Sequence, residues 1–142
     1  MFNKEKNNHN TDIIKVVSLL IHAAKIDENY TDKEKKLIKN FVILFSKENK
    51  KNITDNEALD LIKESEECEN NSNQILEFTK EIKKIDIKMK TLVFKTLWEI
   101  VLSDNKSGIY ENNLMRRICG LLYFPDKLSG EIKSKIIGNN KQ

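Results

Sequence analysis

The carboxylates of residues 25–34, KIDENYTDKE, are the side chains of this sequence whose types and spacing best suit chemistry. Asp27 lies where an apolar helix is predicted to end, and Glu34 lies in the first turn of the next helix. Asp104 and Glu111, in SDNKSGIYE, repeat this pair further along the chain. Two interpretations follow from this arrangement: a cation site or a helix corner.

In the cation interpretation, each Asp and its Glu converge across the corner on Ca²⁺ or Mg²⁺, which prefer oxygen ligands. Asn29 and Asp32 supply further oxygens in the first corner, so a single site would lie there rather than in the second corner. Neither loop has the D-x-[DN]-x-[DN]-G-x₅-E pattern of an EF-hand, and calcium takes six to eight oxygens. A site built this way would be shallow and partly filled by water.

In the corner interpretation, the same carboxylates serve the helices. Glu34 and Glu111 would meet unpaired N–H groups and the positive end of a helix dipole, an effect of ~0.3–1 kcal/mol. Asp27 and Asp104 close helices at the negative end, so each would need hydrogen bonds from backbone N–H groups of the turn. The residues alone leave both interpretations open.

Other chemistries find little support in the sequence. It contains no Gly-rich phosphate loop, no HExxH and no local Ser/His/Asp or Cys/His set. Zinc and iron are disfavoured because His9 and His22 lie far from either cysteine. Cys119, although close to Arg116 and Arg117, lies on an apolar helix face and is predicted to be a buried small hydrophobe. We therefore expect no enzymatic activity.

Composition narrows the class of protein. The chain has 142 residues, of which 39% are hydrophobic, and a formal net charge of +3 that is spread along its length. This fits one folded domain and gives no electrostatic footprint for nucleic acid. Two isolated cysteines predict a reducing, cytoplasmic environment. Because no apolar run reaches the ~20 residues that span a bilayer, we expect no targeting segment and no membrane insertion.

Apolar residues recur at intervals of three and four, which predicts an all-α bundle of about seven helices. The first helix, from Asp12, is apolar almost all round and should be central. Capping boxes at Thr31 and Thr54 begin the second and third helices, and the polar ESEECENNSN is expected to be a loop. Pro125 should open a final helix that ends near Gly138. The predicted division is a tail at 1–11, one domain at 12–138 and a tail at 139–142.

An internal repeat relates the two halves of the chain. Asp27 and Asp104 are as far apart as Glu34 and Glu111, 77 residues in each case (104 − 27 and 111 − 34). Leucines also match at this offset of 77 residues. A match of both carboxylates and leucines is less probable by chance than a match of apolar residues alone. The bundle should therefore consist of two related helical hairpins, each with an Asp and a Glu at its corner.

With these corners, and with LWEIVLSDNKSGIYENNLMRRICGLLYFPD as the strongest match, the chain resembles the TerB family of tellurite-resistance proteins from about Ile13 to Ile137. The resemblance implies a compact helical domain of two related halves, in which the family's acidic residues correspond to Asp27, Glu34, Asp104 and Glu111. Here Glu28 and Asn105 replace the glycine that follows each Asp in the family, so the first corner is expected to differ in shape.

The family's acidic clusters have been considered as divalent-cation sites, and its members act in stress responses through complexes near the membrane. The resemblance thus implies a non-enzymatic stress-response domain that binds other proteins of such a complex and Ca²⁺ or Mg²⁺ through its acidic corners. The alternative is a metal-independent helical interaction scaffold unrelated to tellurite, in which an exposed helix face binds the partner.

Overall fold

The computed structural model describes the backbone of residues 3–26, 30–72, 76–103 and 109–140. These ranges contain seven helices and no strand, which confirms the predicted all-α class. The helices are α1 (Asn3–Ala24), α2 (Asp32–Glu48), α3 (Asp55–Asn70), α4 (Leu76–Ile82), α5 (Ile87–Val101), α6 (Ile109–Leu122) and α7 (Asp126–Asn140).

Helix α1 lies at the centre of the bundle, as its apolar surface predicts. It packs against α2, α3, α4 and α5. Val16, Val17 and Leu20 are fully buried, and so are Leu19 and Ile21 on other sides of the helix. Burial of each such side chain contributes about 1.5–3 kcal/mol relative to exposure, so α1 is the element that the others fold around.

The burial pattern supports the repeat. Residues of α1 and α5 that are 77 positions apart are buried alike, and the same holds for α2 and α6. The buried pairs are Val16 and Val93, Val17 and Phe94, Leu20 and Leu97, Ile38 and Met115, Phe41 and Ile118, and Phe45 and Leu122. The two predicted hairpins, α1–α2 and α5–α6, therefore bury equivalent positions in one core.

Helix α3 is longer than predicted, and the assignment of ESEECENNSN to a loop is wrong for residues 64–70. Ala58, Ile62 and Ser65 form one buried stripe on this helix. The Ser65 hydroxyl donates to the Leu61 carbonyl (2.7 Å), and Ser18 on α1 donates to the Ser65 carbonyl (3.2 Å). Packing of this stripe against α1 stabilises a helix whose exposed residues are polar except for Leu59.

The helix ends also differ from the expected bounds. Helix α1 begins at Asn3 and so includes most of the segment that the sequence assigns to a polar tail. Helix α7 begins at Asp126, and the carbonyl of Pro125 accepts the first helical bond from Ser129 (3.1 Å), as a residue at the start of a helix should. The division of the chain at residues 12 and 138 stays a prediction.

Helix α2 ends in a left-handed residue that is not glycine. Lys50 has φ 63°, Lys50 N–H donates to Lys47 O (2.9 Å), and Lys51 N–H donates to Ser46 O (2.8 Å). This is the Schellman pattern, in which glycine is the usual left-handed residue because a Cβ costs about 1–2 kcal/mol there. The left-handed conformation of Lys50 turns the chain sharply from α2 towards α3.

We expect Lys50→Gly to raise the free energy of unfolding by about 1 kcal/mol, because glycine removes the left-handed strain. Urea unfolding followed by circular dichroism measures the change. The control is Lys47→Gly, an exposed position inside the same helix, where glycine should lower stability by about 0.5–1 kcal/mol. A loss of stability in both variants would contradict the strain argument.

A buried hydrogen bond ties α7 to α5. The Trp98 indole N–H donates to the Ser129 hydroxyl at 2.9 Å, and both side chains are buried. A buried indole needs a partner because an unpaired N–H is costly to desolvate. Ser129 therefore anchors the last helix on the core.

Ser129→Ala should lower the free energy of unfolding by about 1–3 kcal/mol, because it leaves the Trp98 N–H buried without an acceptor. The measurement is urea unfolding followed by Trp98 fluorescence. Ser134→Ala, at an exposed position of the same helix, should change stability by less than about 0.5 kcal/mol. Equal effects in the two variants would show that the hydrogen bond from Trp98 contributes nothing to the free energy of unfolding.

Candidate functional site

Glu34 closes the first corner through a reciprocal capping box. Its Oε1 accepts from the Thr31 N–H (2.8 Å) and the Thr31 hydroxyl (3.0 Å), and its own N–H donates to the Thr31 hydroxyl (3.2 Å). The side chain is buried, with only 2% of Glu34 exposed. The predicted helix-starting role of Glu34 is therefore confirmed.

The far end of α3 reaches the end of α1, just before this corner. Glu69 accepts a hydrogen bond from Lys25 Nζ at 2.8 Å, and its other oxygen lies 3.5 Å from His22 Nδ1. Lys25 Nζ also lies 3.4 Å from the Asn70 side-chain oxygen. Lys25 thus places positive charge near the negative end of the α1 dipole, which offsets the unfavourable position of acidic residues there.

Tyr30 lies among these carboxylates. Its hydroxyl is buried and has no hydrogen-bond partner of good geometry, although Glu66 lies close to it. Burial, and then the negative charge of Glu66, Glu34 and Glu69, raise the pKa of Tyr30 well above its usual range. Glu66, Glu34 and Glu69 therefore lie near a neutral phenol, and the cation of Lys35 lies 4.9 Å from the centre of the Tyr30 ring.

The two predicted corners lie near each other. Lys33, in the first turn of α2, lies with its Nζ 3.4 Å from the carbonyl oxygen of Ser103, just after α5. Ser103 directly precedes Asp104 in the sequence. Glu111 lies in the first turn of α6, as predicted, and is half-buried. Packing of α2 on α5 thus brings the start of the second corner beside the first.

The structure describes only some of the predicted cation ligands. Asp27, Asn29 and Asp104 lie outside the described residues, as do Glu28 and Asn105. Asp32 is exposed at the start of α2. Within the described ranges, no three His, Cys, Asp or Glu side chains are placed to hold one metal ion. The ligand set Asp27, Glu34, Asp104 and Glu111 therefore stays a prediction.

Sequence reasoning missed the contribution of α3 to this site. Glu66 and Glu69 were assigned to a loop, whereas α3 carries both of them to the corner. The missed signal is the continued spacing of three and four residues in Ala58, Ile62, Ser65 and Glu69. Because Ser65 is polar, a search for apolar residues does not recognise this buried stripe.

Cys119 and three aromatic residues belong to the core. Cys119 is buried, as expected, and burial is the main cause that raises the pKa of its thiol to about 11. This is opposite to the effect that an activated thiolate requires. Trp98, Phe94 and Phe41 are also buried. Among the described helices, none combines the length and apolarity needed to cross a membrane.

Comparison with known proteins identifies one family. The family model described as tellurite resistance protein TerB matches residues 13–134 of the 142-residue chain. This range includes both hairpins and both corners. Neither the curated proteins nor the solved structures gave a match.

The raised pKa of Tyr30 predicts a pH-dependent loss of stability. The folded protein keeps the phenol proton at pH values where the unfolded chain loses it, so this contribution is complete below pH about 10 and is lost as the pH rises further. Urea unfolding between pH 8 and 11 should therefore show a steeper fall for the parent than for Tyr30→Phe. At pH 7 the variant should be within about 1 kcal/mol of the parent, because the hydroxyl is unpaired.

Tyr123→Phe, at a position that is 73% exposed, is the comparison variant for loss of a phenol elsewhere in the chain. Parallel pH profiles for the parent and Tyr30→Phe would contradict the assigned environment of Tyr30.

Proposed function

Because the chain belongs to the TerB family, we propose that it acts in a stress response as a non-enzymatic domain whose first acidic corner engages a protein partner with the help of Ca²⁺ or Mg²⁺. The partner would be another protein of a stress-response complex at the cytoplasmic side of a membrane, and tellurite is one stress that the family name suggests. The observation that carries the proposal is the meeting of the Glu34 capping box and the Lys25–Glu69 ion pair at the ends of α1, α2 and α3, near the buried hydroxyl of Tyr30.

This arrangement supports a binding role because it brings acidic side chains from two helices to one place. Glu66, Glu34 and Glu69 all contribute negative charge near the Tyr30 hydroxyl, while Lys25 pairs with Glu69 and Lys35 Nζ lies 4.9 Å from the centre of the Tyr30 ring. A cation or a basic partner would be attracted to these carboxylates. The corner also lies where α1, α2 and α3 meet, so a bound ligand would contact three helices at once.

The donor chemistry suits Ca²⁺ or Mg²⁺ rather than zinc, because it consists of oxygens. The described residues do not complete a site: Glu34 Oε1 is held in the capping box, and Glu69 is held by Lys25. Oxygens from Asp27, Asn29 and water would have to supply the rest of the shell. A bound cation would neutralise the corner and fix the orientation of its side chains.

The metal-independent scaffold is the second candidate, and one observation favours it. The capping box of Glu34 and the ion pair of Glu69 account for two of the three carboxylates without any cation. In that case the partner would meet the corner, or another exposed helix face, through side chains alone. The two candidates differ in whether chelation changes the stability of the domain and its binding.

Calorimetric titration of chelator-stripped protein with Ca²⁺ and with Mg²⁺ tests the first candidate. We expect the parent to bind, and Asp27→Asn and Glu34→Gln to lose at least tenfold in affinity while staying folded. At ~100 times its Kd, the cation should stabilise the parent by about 2.7 kcal/mol, which a thermal melt detects.

Glu57→Gln is the matched control, because Glu57 forms the same capping box with Thr54 at the start of α3, away from the corner. It should lose as much capping as Glu34→Gln and yet leave cation binding unchanged. Absence of heat at millimolar cation, with only earlier melting in the Glu34 variant, would favour the metal-independent scaffold.

A further inference from the structure

A groove with a cavity volume of about 780 Å³ opens at the other end of the α2–α3 pair. It is bounded by the end of α2, the α2–α3 link, the start of α3 and the link from α4 to α5. The volume lies within the range of small-molecule sites, roughly 300–1,000 Å³. Nothing in the family assignment concerns this surface.

The floor of the groove is apolar. Ile13 from α1, Phe45 from α2 and Met89 from α5 are buried core residues that also line it. Leu61 and Ile85, both partly buried, add apolar surface from α3 and from the α4–α5 link. Three helices of the core therefore reach solvent here through one concave apolar surface.

The rim is acidic, although the protein as a whole is basic. Glu57, Asp60 and Asp86 line the groove, and Lys51 is its one lining lysine within the described residues. None of these four side chains forms an ion pair in the part of the chain that the structure describes. The groove thus carries three carboxylates against one ammonium, in a chain whose net charge is +3.

The three carboxylates come from two walls. Glu57 and Asp60 are three residues apart on α3, a spacing that places them on neighbouring turns. Asp86 lies across the groove before α5, where one of its oxygens accepts from the Met89 N–H (2.9 Å). A positive group above the apolar floor would therefore meet negative charge from both sides.

The groove is separate from the acidic corner. Its α2 wall is the end of that helix and its α3 wall is the start of that helix, whereas the corner is built from the opposite ends. Helix α2 has 17 residues and so is about 25 Å long at 1.5 Å per residue. A ligand in the groove would not touch Glu34, Glu69 or Tyr30.

We propose that this groove is a binding site for a small organic cation with an apolar body, such as an alkylamine. The apolar part would cover Ile13, Phe45 and Met89, and the ammonium group would lie among Glu57, Asp60 and Asp86. The charge pattern selects against carboxylates of the same shape, because three negative groups would repel them while Lys51 alone would attract them.

Three probes with the same eight-carbon chain test the charge selectivity: octylammonium, octanol and octanoate. Titration of the 142-residue chain, followed by ¹H–¹⁵N NMR, locates binding by shifts of the Leu61, Ile85 and Met89 amides. We expect octylammonium to bind at least threefold more tightly than octanol and octanoate to bind most weakly, with the preference reduced at 0.5 M salt.

Charge variants of the rim should act in opposite directions. Asp60→Asn should weaken octylammonium binding about two- to fivefold, and Lys51→Gln should strengthen it by a similar factor, as expected for exposed charge pairs. The matched controls are Glu67→Gln on α3 and Lys36→Gln on α2, which change the net charge equally at exposed positions that do not line the groove.

The proposal is overturned if the three probes bind equally, if octanoate binds most tightly, or if the amide shifts lie outside the groove. It is also overturned if no probe binds at millimolar concentration to the folded parent, or if Asp60→Asn and Glu67→Gln weaken binding to the same extent. The variants change exposed side chains and should leave the fold intact. The same spectra verify that each variant is folded.

Discussion

The need to cover helix α1 on all sides is the constraint on which the rest of this structure depends. A helix that is apolar around most of its circumference cannot lie at a surface, and α2, α3, α4 and α5 each bury part of it. Since α5 has the same character, with Val93, Phe94 and Leu97 fully buried, the two hairpins share one core. The remaining helices are positioned by this requirement, α7 with the additional help of the Trp98 and Ser129 hydrogen bond.

Coverage of α1 also creates the acidic corner. Helix α3 lies along α1, and its buried stripe continues through Ser65, so that Glu66 and Glu69 arrive where α1 ends. The capping box at Thr31 brings Glu34 to the same place from α2. Packing therefore brings three carboxylates near Tyr30, together with the cations of Lys25 and Lys35, in a chain whose charges are dispersed along its sequence.

The α2–α3 pair carries two surfaces of different character. At one end, carboxylates lie near the half-buried Tyr30, with Glu34 held by capping and Glu69 held by Lys25. At the other end, the Schellman turn at Lys50 sends the chain away from α2 and leaves apolar core side chains at the floor of an acidic groove. One pair of helices thus presents a polar surface, which we propose engages a cation or a partner protein, and an amphipathic surface, which we propose binds a small ligand.

Periodicity and capping residues in the sequence determined the helical class, the central position of α1, the two capping boxes and the 77-residue relation between the hairpins. These features depend on local interactions and on the spacing of apolar residues, which a sequence displays directly. The assignment of Cys119 to the core follows from the same spacing. Only the tertiary structure decided the length of α3, the approach of Glu66 and Glu69 to Tyr30, and the groove lined by Phe45 and Asp60. These depend on which helices pack together, since contacts between residues distant in sequence leave no local pattern and a polar helix segment becomes stable through the surface that it covers.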